Sequence, residues 1–180
     1  VTNNAIVGCK DEDKQINYYD NMYLPVLNRT LILPDNNRTQ GGHFWLEPLD
    51  KTRVEELIKL LDLLVGLPSV ILFPNEKEAE RRVKYGKAGN YRTRDGLVEY
   101  RVLSSSVMKH PEILRNFLLM IHWINNHFNH IWAWTMKKEV REVINKTYEV
   151  LPLIINTNWT YKAFSCWKDL IALLHSNSAC

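Results

Sequence analysis

Three cysteines, Cys9, Cys166 and Cys180, are too few and too irregularly spaced for a disulfide framework or a zinc site. They read as reduced, intracellular thiols. No apolar stretch reaches the roughly 18 residues that a membrane-crossing helix needs. The opening Val1-Thr2-Asn3-Asn4 has neither the basic nor the apolar part of a signal peptide, so the expected location is the cytoplasm. Met is absent from the first position, which fits processing or a cut from a longer chain. No five cations run together, and 23 Lys and Arg against 20 Asp and Glu leave a net charge of only +3. That balance does not by itself call for nucleic acid. No Walker sequence Gly-x-x-x-x-Gly-Lys-Ser/Thr occurs, which excludes a standard P-loop, and no Ser-His-Asp signature can be read. Sequons stand at Asn28, Asn37, Asn145 and Asn158. Without a leader peptide they read as chance in a chain rich in Asn and Thr.

What is present suits one domain with a sizeable core: 46% apolar residues, with six Trp, eight Tyr and five Phe. A short strand is expected at Ala5-Ile6-Val7, an apolar run from Leu24 to Leu33, and a turn at Pro34-Asp35-Asn36-Asn37. Gly41-Gly42 opens a strand, His43 to Glu47. Thr52-x-x-Glu55 has the form of a capping box before a helix with Val54, Leu57, Ile58, Leu61, Leu64 and Val65 at helical spacing. Gly66-Leu67-Pro68 is expected to end that helix, and Ser69 to Phe73 to form a buried strand. Glu76 to Lys84 reads as a charged helix, the glycine-rich stretch after it as a loop, and Leu97 to Ser104 as an alternating strand. Pro111 starts a long helix with Ile113, Leu114, Phe117, Leu118, Ile121 and Ile124 inward. Further helices are expected at about 137–150 and 160–174, the last with Phe164, Trp167, Leu170, Ile171 and Leu174 inward. The chain is therefore α+β: an α+β half-domain over 1–108, then a helical C-terminal region over 109–180 packed on it.

The chemistry concentrates between Tyr85 and Ser104. Glu99 and Arg101, two apart on a strand, point the same way. They form either a structural ion pair or half of a site in which the acid holds Mg²⁺ and the Arg grips an oxyanion. Lys87, Arg92 and Arg94 sit beside Gly86 and Gly89. Glycines let backbone N–H groups approach an anion, though the same composition suits a solvated hairpin tip. His43, after two glycines, is open to close approach by a ligand or is satisfied by a neighbour. His127 and His130 lack a third ligand at metal spacing. Trp123, Trp132 and Trp134 read as core or as a partner surface.

These pieces in order resemble the phage-type carboxylate-amine ligases, type 2, relatives of glutamine synthetase and glutamate-cysteine ligase. The resemblance runs from near Gly8-Cys9 to about Ser104. It rests on Gly41-Gly42-His43, Gly66-Leu67-Pro68-Ser69-Val70, Arg81-Arg82, Tyr85-Gly86-Lys87-Ala88-Gly89, Arg92 and Glu99-Tyr100-Arg101-x-Leu103-Ser104. Where the family reads Gly-Gly-His-x-His, this chain has Trp45 in the second place.

The resemblance implies an antiparallel sheet of a glutamine-synthetase-like half-domain, and ATP- and Mg²⁺-dependent joining of a carboxylate to an amine through an acyl phosphate. It implies Arg101, Arg92 and Lys87 as catalytic residues. Nucleotide contacts would come from His43, Gly86, Lys87, Gly89 and Arg92, and metal ligands from Glu99 and His43. It also implies a second chain, or a first half of the catalytic domain, to supply further acids, since only Asp11, Glu12 and Asp13 stand near the start. The host-cell cytoplasm would be the location if the chain is viral. Two other readings are a non-catalytic interaction protein on a degenerate ligase half, and a basic nucleic-acid binder using Lys84, Lys87, Arg92 and Arg94.

Overall fold

The computed structural model describes residues 16–17, 42–74 and 76–177. Cys9, the acids at 11–13, the strand expected at 5–7, the run 24–33, the turn at 34–37, Gly41 and Cys180 lie outside those residues.

The fold is α+β. Four strands form one antiparallel sheet, β1 (Ile16–Asn17), β2 (Phe44–Leu46), β3 (Asn90–Arg94) and β4 (Leu97–Tyr100), in the order β1-β3-β4-β2. β3 and β4 make a two-residue hairpin. Asp95 (φ 52°) and Gly96 (φ 79°) both take left-handed backbone, which an Asp-Gly pair accepts readily. The expected strand from Leu97 leaves the ladder after Tyr100, and the residues expected as loop from Asn90 onward are its partner.

Helix α1 (Val54–Leu61) does not stop at Gly66-Leu67-Pro68. It widens into a π-helical turn, Asp62–Gly66, and continues as α2 (Leu67–Leu72), so the strand expected at 69–73 is helix. The reason is local. Pro68 falls at the first positions of α2, where the π turn has already broken the α hydrogen-bond register that proline would disrupt. The capping box does not form either: Thr52 bonds Asp50 through both its N–H and its hydroxyl, and Arg53 stands at the cap.

The charged helix is present as α3 (Glu76–Lys84). After a 3₁₀ turn (Ser105–Lys109) come α4 (Pro111–Asn126), α5 (Phe128–Thr135), α6 (Lys138–Thr157) and α7 (Thr160–Asn177). α6 runs past its expected end at Val150, through Pro152, because Leu151, Ile154 and Ile155 are buried beyond it. Asn158 closes it with left-handed backbone (φ 54°). Its side chain accepts from Arg82 Nη1 and donates to the Phe73 carbonyl, so this sequon asparagine is engaged within the fold.

One core joins sheet and helices, from Phe44 and Tyr100 through Leu60 and Leu67 to Ile124, Leu151 and Leu170. Four expected inward residues face out instead: Leu118, Phe164, Ile171 and Leu174. On α7 the packed positions are Ala163, Cys166 and Leu170, a stripe shifted about one residue toward the N-terminus. No helix among the described residues is long and apolar enough to cross a membrane.

Candidate active site

Register brings the site together. Trp45 on β2 and Arg92 on β3 both pair with Glu99 on β4, so the three side chains share one sheet face. The opposite face carries Phe44, Tyr91, Val98 and Tyr100 into the core. His43 precedes β2 on the same face as Trp45. It is held there because Gly42 donates its N–H to the Leu103 carbonyl at 2.8 Å. A Cβ on Gly42 would stand 2.7 Å from the Ser104 carbonyl oxygen.

Glu99 is the centre and is only 1% exposed. Its Oε1 lies 2.7 Å from His43 Nδ1. Its Oε2 lies 2.7 Å from Arg92 Nε and 3.7 Å from Arg101 Nη1. Aromatic rings flank both guanidiniums: Trp45 over Arg92 at 5.4 Å and Tyr85 against Arg101 at 4.6 Å. The Tyr85 hydroxyl meets His43 Nε2. With Nδ1–H given to Glu99, Nε2 is the acceptor and the tyrosine donates. Burial lowers the His43 pKa. Glu99 pulls it up, while Arg101, Arg92 and Arg81 push it further down. The imidazole is thus neutral at pH 7.

Gly86 and Gly89 shape the loop that carries Lys87. Both have left-handed backbone, φ 74° and 72°. A Cβ on Gly86 would overlap Arg81 Nη1 and come within 2.8 Å of the Arg101 carbonyl. The loop amides are occupied from inside: Ala88 N–H donates to Asn156 Oδ1 at 2.8 Å and Gly89 N–H to Asp62 Oδ2 at 2.6 Å. Lys87 is half-buried on the same loop. Among the described residues its side chain joins neither the Glu99 cluster nor another acid. Arg94 pairs with Asp95 on the exposed hairpin tip, away from Arg92.

Sequence reading gave no role to a second polar layer under the loop. Glu78 pairs with Arg81 Nε at 3.0 Å and accepts from the Ser104 hydroxyl. Arg81 donates to the Tyr85 and Val102 carbonyls at 3.2 and 2.9 Å. Arg82 reaches across to the Ile155 carbonyl of α6. Burial lowers its pKa to about 10. Asp62, in the π turn, accepts from Gly89 N–H and from the Tyr100 hydroxyl at 2.8 Å, and full burial pushes its pKa up to about 7. The one signal for Asp62 was a lone acid among five leucines, a valine and an isoleucine. The Arg81-Arg82 pair belongs to the motifs of the resemblance, but nothing in its charged helix predicts that both side chains are buried. Tyr85 belongs to the glycine-rich motif of the resemblance, with nothing there to predict its place against Arg101 and His43.

The donor set around Glu99 does not suit Mg²⁺. That ion takes near-octahedral oxygen ligands and keeps several waters. Here both carboxylate oxygens already face cations or an N–H, and a divalent ion would stand against two guanidiniums. Among the described residues no three His, Cys, Asp or Glu side chains group into a metal site. A separate cleft of about 600 Å³ lies between the end of β2 and α4, walled mainly by Phe44, Leu46, Leu49, Leu118 and Ile121.

No curated protein and no solved structure matches the chain. The family model of the phage phiEco32-like COOH–NH2 ligases, type 2, matches residues 32–154. The match extends past the sheet and through α4 and α5 into α6, so the resemblance does not end at Ser104. It takes in His43, the π turn, the glycine loop and the Glu99 cluster, and stops one residue short of Ile155, the α6 partner of Arg82. The chain belongs to the phage phiEco32-like carboxylate–amine ligase type 2 family.

Proposed function

We propose that the protein joins a carboxylate to an amine at the expense of ATP, through an acyl phosphate. A carboxylate oxygen attacks the γ-phosphorus of ATP and ADP leaves. The amine nitrogen then attacks the acyl carbon, phosphate departs with the C–O bonding pair, and the surplus amine proton passes to water. Phosphoryl transfer asks little covalent work of the protein and much electrostatic placement. The observation that carries this reading is the buried Glu99 cluster, which holds Arg92 and Arg101 on one sheet face beside neutral His43. Two guanidiniums in fixed orientation suit the oxygens of a phosphoryl group or an acyl phosphate. Lys87 stands on the adjoining loop as a further cation, and Gly86 and Gly89 set that loop's path. Any Mg²⁺ that accompanies ATP takes its ligands from residues other than this cluster, and no step here is routed through it.

Hydroxylamine intercepts acyl phosphates as stable hydroxamates. The protein, ATP, hydroxylamine and a panel of amino-acid and peptide carboxylates should yield a hydroxamate together with ADP. Arg92→Gln should cut that yield at least tenfold. ADP release that no carboxylate stimulates, with no hydroxamate from the panel, would count against a ligase and favour the interaction-protein reading.

A further inference from the structure

We propose that Glu99 is a positioning residue, not a metal ligand: braced by His43, it holds Arg92 and Arg101 as a preassembled site that takes a phosphoryl oxyanion without a divalent ion. Its two oxygens are divided between partners from three different segments, His43 ahead of β2, Arg92 on β3, and Arg101 past the end of β4. A carboxylate 1% exposed could not be held at that depth without such partners. The same contacts set Oε1 against the His43 N–H and Oε2 against two guanidinium charges, so neither oxygen is left open as a metal ligand's must be.

The flanking groups act in the same direction. Trp45 and Tyr85 lie against the guanidiniums of Arg92 and Arg101, and the Tyr85 hydroxyl fixes the far nitrogen of His43. Each guanidinium is therefore placed twice, once by the Glu99 charge and once by a ring. Arg92 and His43 keep part of their side chains open, 12% and 22%, whereas Arg101 at 2% backs them from below. An arriving anion thus meets Arg92 first, with the Arg101 charge behind and the neutral His43 ring as a wall beside it. That the anion in turnover is an acyl phosphate rests on the ligase reading; the preassembly of the donors does not.

The test is calorimetric titration with inorganic phosphate in EDTA, on the wild type, Arg92→Gln, Glu99→Gln and Glu99→Asp, with far-UV circular dichroism as the folding check. Phosphate should bind without metal, and added Mg²⁺ should leave the affinity within twofold. Arg92→Gln should weaken binding at least tenfold. Glu99→Gln should weaken it several-fold although it removes a negative charge. Glu99→Asp, which keeps the charge and shortens the arm, should weaken it too, and it decides the matter if the Gln variant does not fold. Mn²⁺ titration followed by electron paramagnetic resonance supplies the metal arm. Metal binding by the wild type that Glu99→Gln abolishes would overturn the proposal. So would an absence of phosphate binding in EDTA, or tighter phosphate binding by Glu99→Gln. A failed hydroxamate assay with phosphate binding intact would sink the ligase reading and leave this inference standing.

Discussion

Asp62 has no exposed surface, and it stands where the helix widens to let it reach both Gly89 and Tyr100. Gly66 makes that reach feasible, since a Cβ there would lie 2.8 Å from the Tyr100 hydroxyl oxygen. Burial raises the Asp62 pKa from 3.8 to about 7. The folded protein then keeps a proton that the unfolded chain has released. Its contribution is full below the unfolded pKa and is lost as pH rises through the folded one. Stability should therefore fall between about pH 4 and pH 7 by at most about 4 kcal/mol from this group. His43 has a lowered pKa and works oppositely over the upper part of that range. Urea midpoints across pH 4.5 to 8 should show a downward slope for the wild type that Asp62→Asn flattens. An unchanged slope in the variant would mean that Asp62 ionises as freely in the fold as outside it.

Two glycines with the same backbone hand separate strain from crowding at the scale of an element. Gly96 caps the β3–β4 hairpin, and a Cβ there meets only the flexible end of Lys51 at 2.9 Å. Gly96→Ala should cost roughly 1 kcal/mol of backbone strain. Gly86→Ala adds overlap with the Arg81 guanidinium and the Arg101 carbonyl, both buried, and should cost about 3 kcal/mol or more. Chemical denaturation of the pair measures the difference. Equal losses would mean that the loop relaxes away from Arg81.

The elements differ in how far the sequence announced them. The β2 strand and the helix that Pro111 opens were legible because period and punctuation agree there. The α2 helix was not. Gly66 and Pro68 both say stop, and only packing against the core, through Leu67 and Val70, overrides them. The site was legible in part. Glu99, Arg92, Arg101 and His43 were named from residue type and order, but Glu78, Asp62 and Asn156 were not. Those three hold their place through partners 3 to 68 residues away, as from Glu78 to Arg81 and from Asn156 on α6 to Ala88.

Among the described residues the buried apolar side chains form one cluster, which contains Tyr100 of the sheet and Leu151 of α6 alike. Arg82 adds a polar tie from α3 to the Ile155 carbonyl and Asn158 at the end of α6. Thermal unfolding should then be a single transition, with near-UV and far-UV signals falling together. Residues 42–109 expressed alone should show no fixed near-UV spectrum, because α6 and α7 cover Leu67, Val70 and Asp62. Two separated transitions would mean that the helical region folds by itself. Leu151→Ala, at a fully buried position, should cost about 2–5 kcal/mol and lower both signals at once.

Sequence alone determined the α+β class, the family and the identity of the charged residues that meet on the sheet. Each of these depends on residue type, local period or the order of motifs along the chain. The tertiary structure decided what surrounds Glu99, which side of α7 is buried, and that the glycine loop's amides bond inward to Asp62 and Asn156. The physical reason is the same in each case. A buried charge or amide is defined by the partner that desolvation obliges it to find, and that partner sits on another element, at a separation that no local pattern encodes.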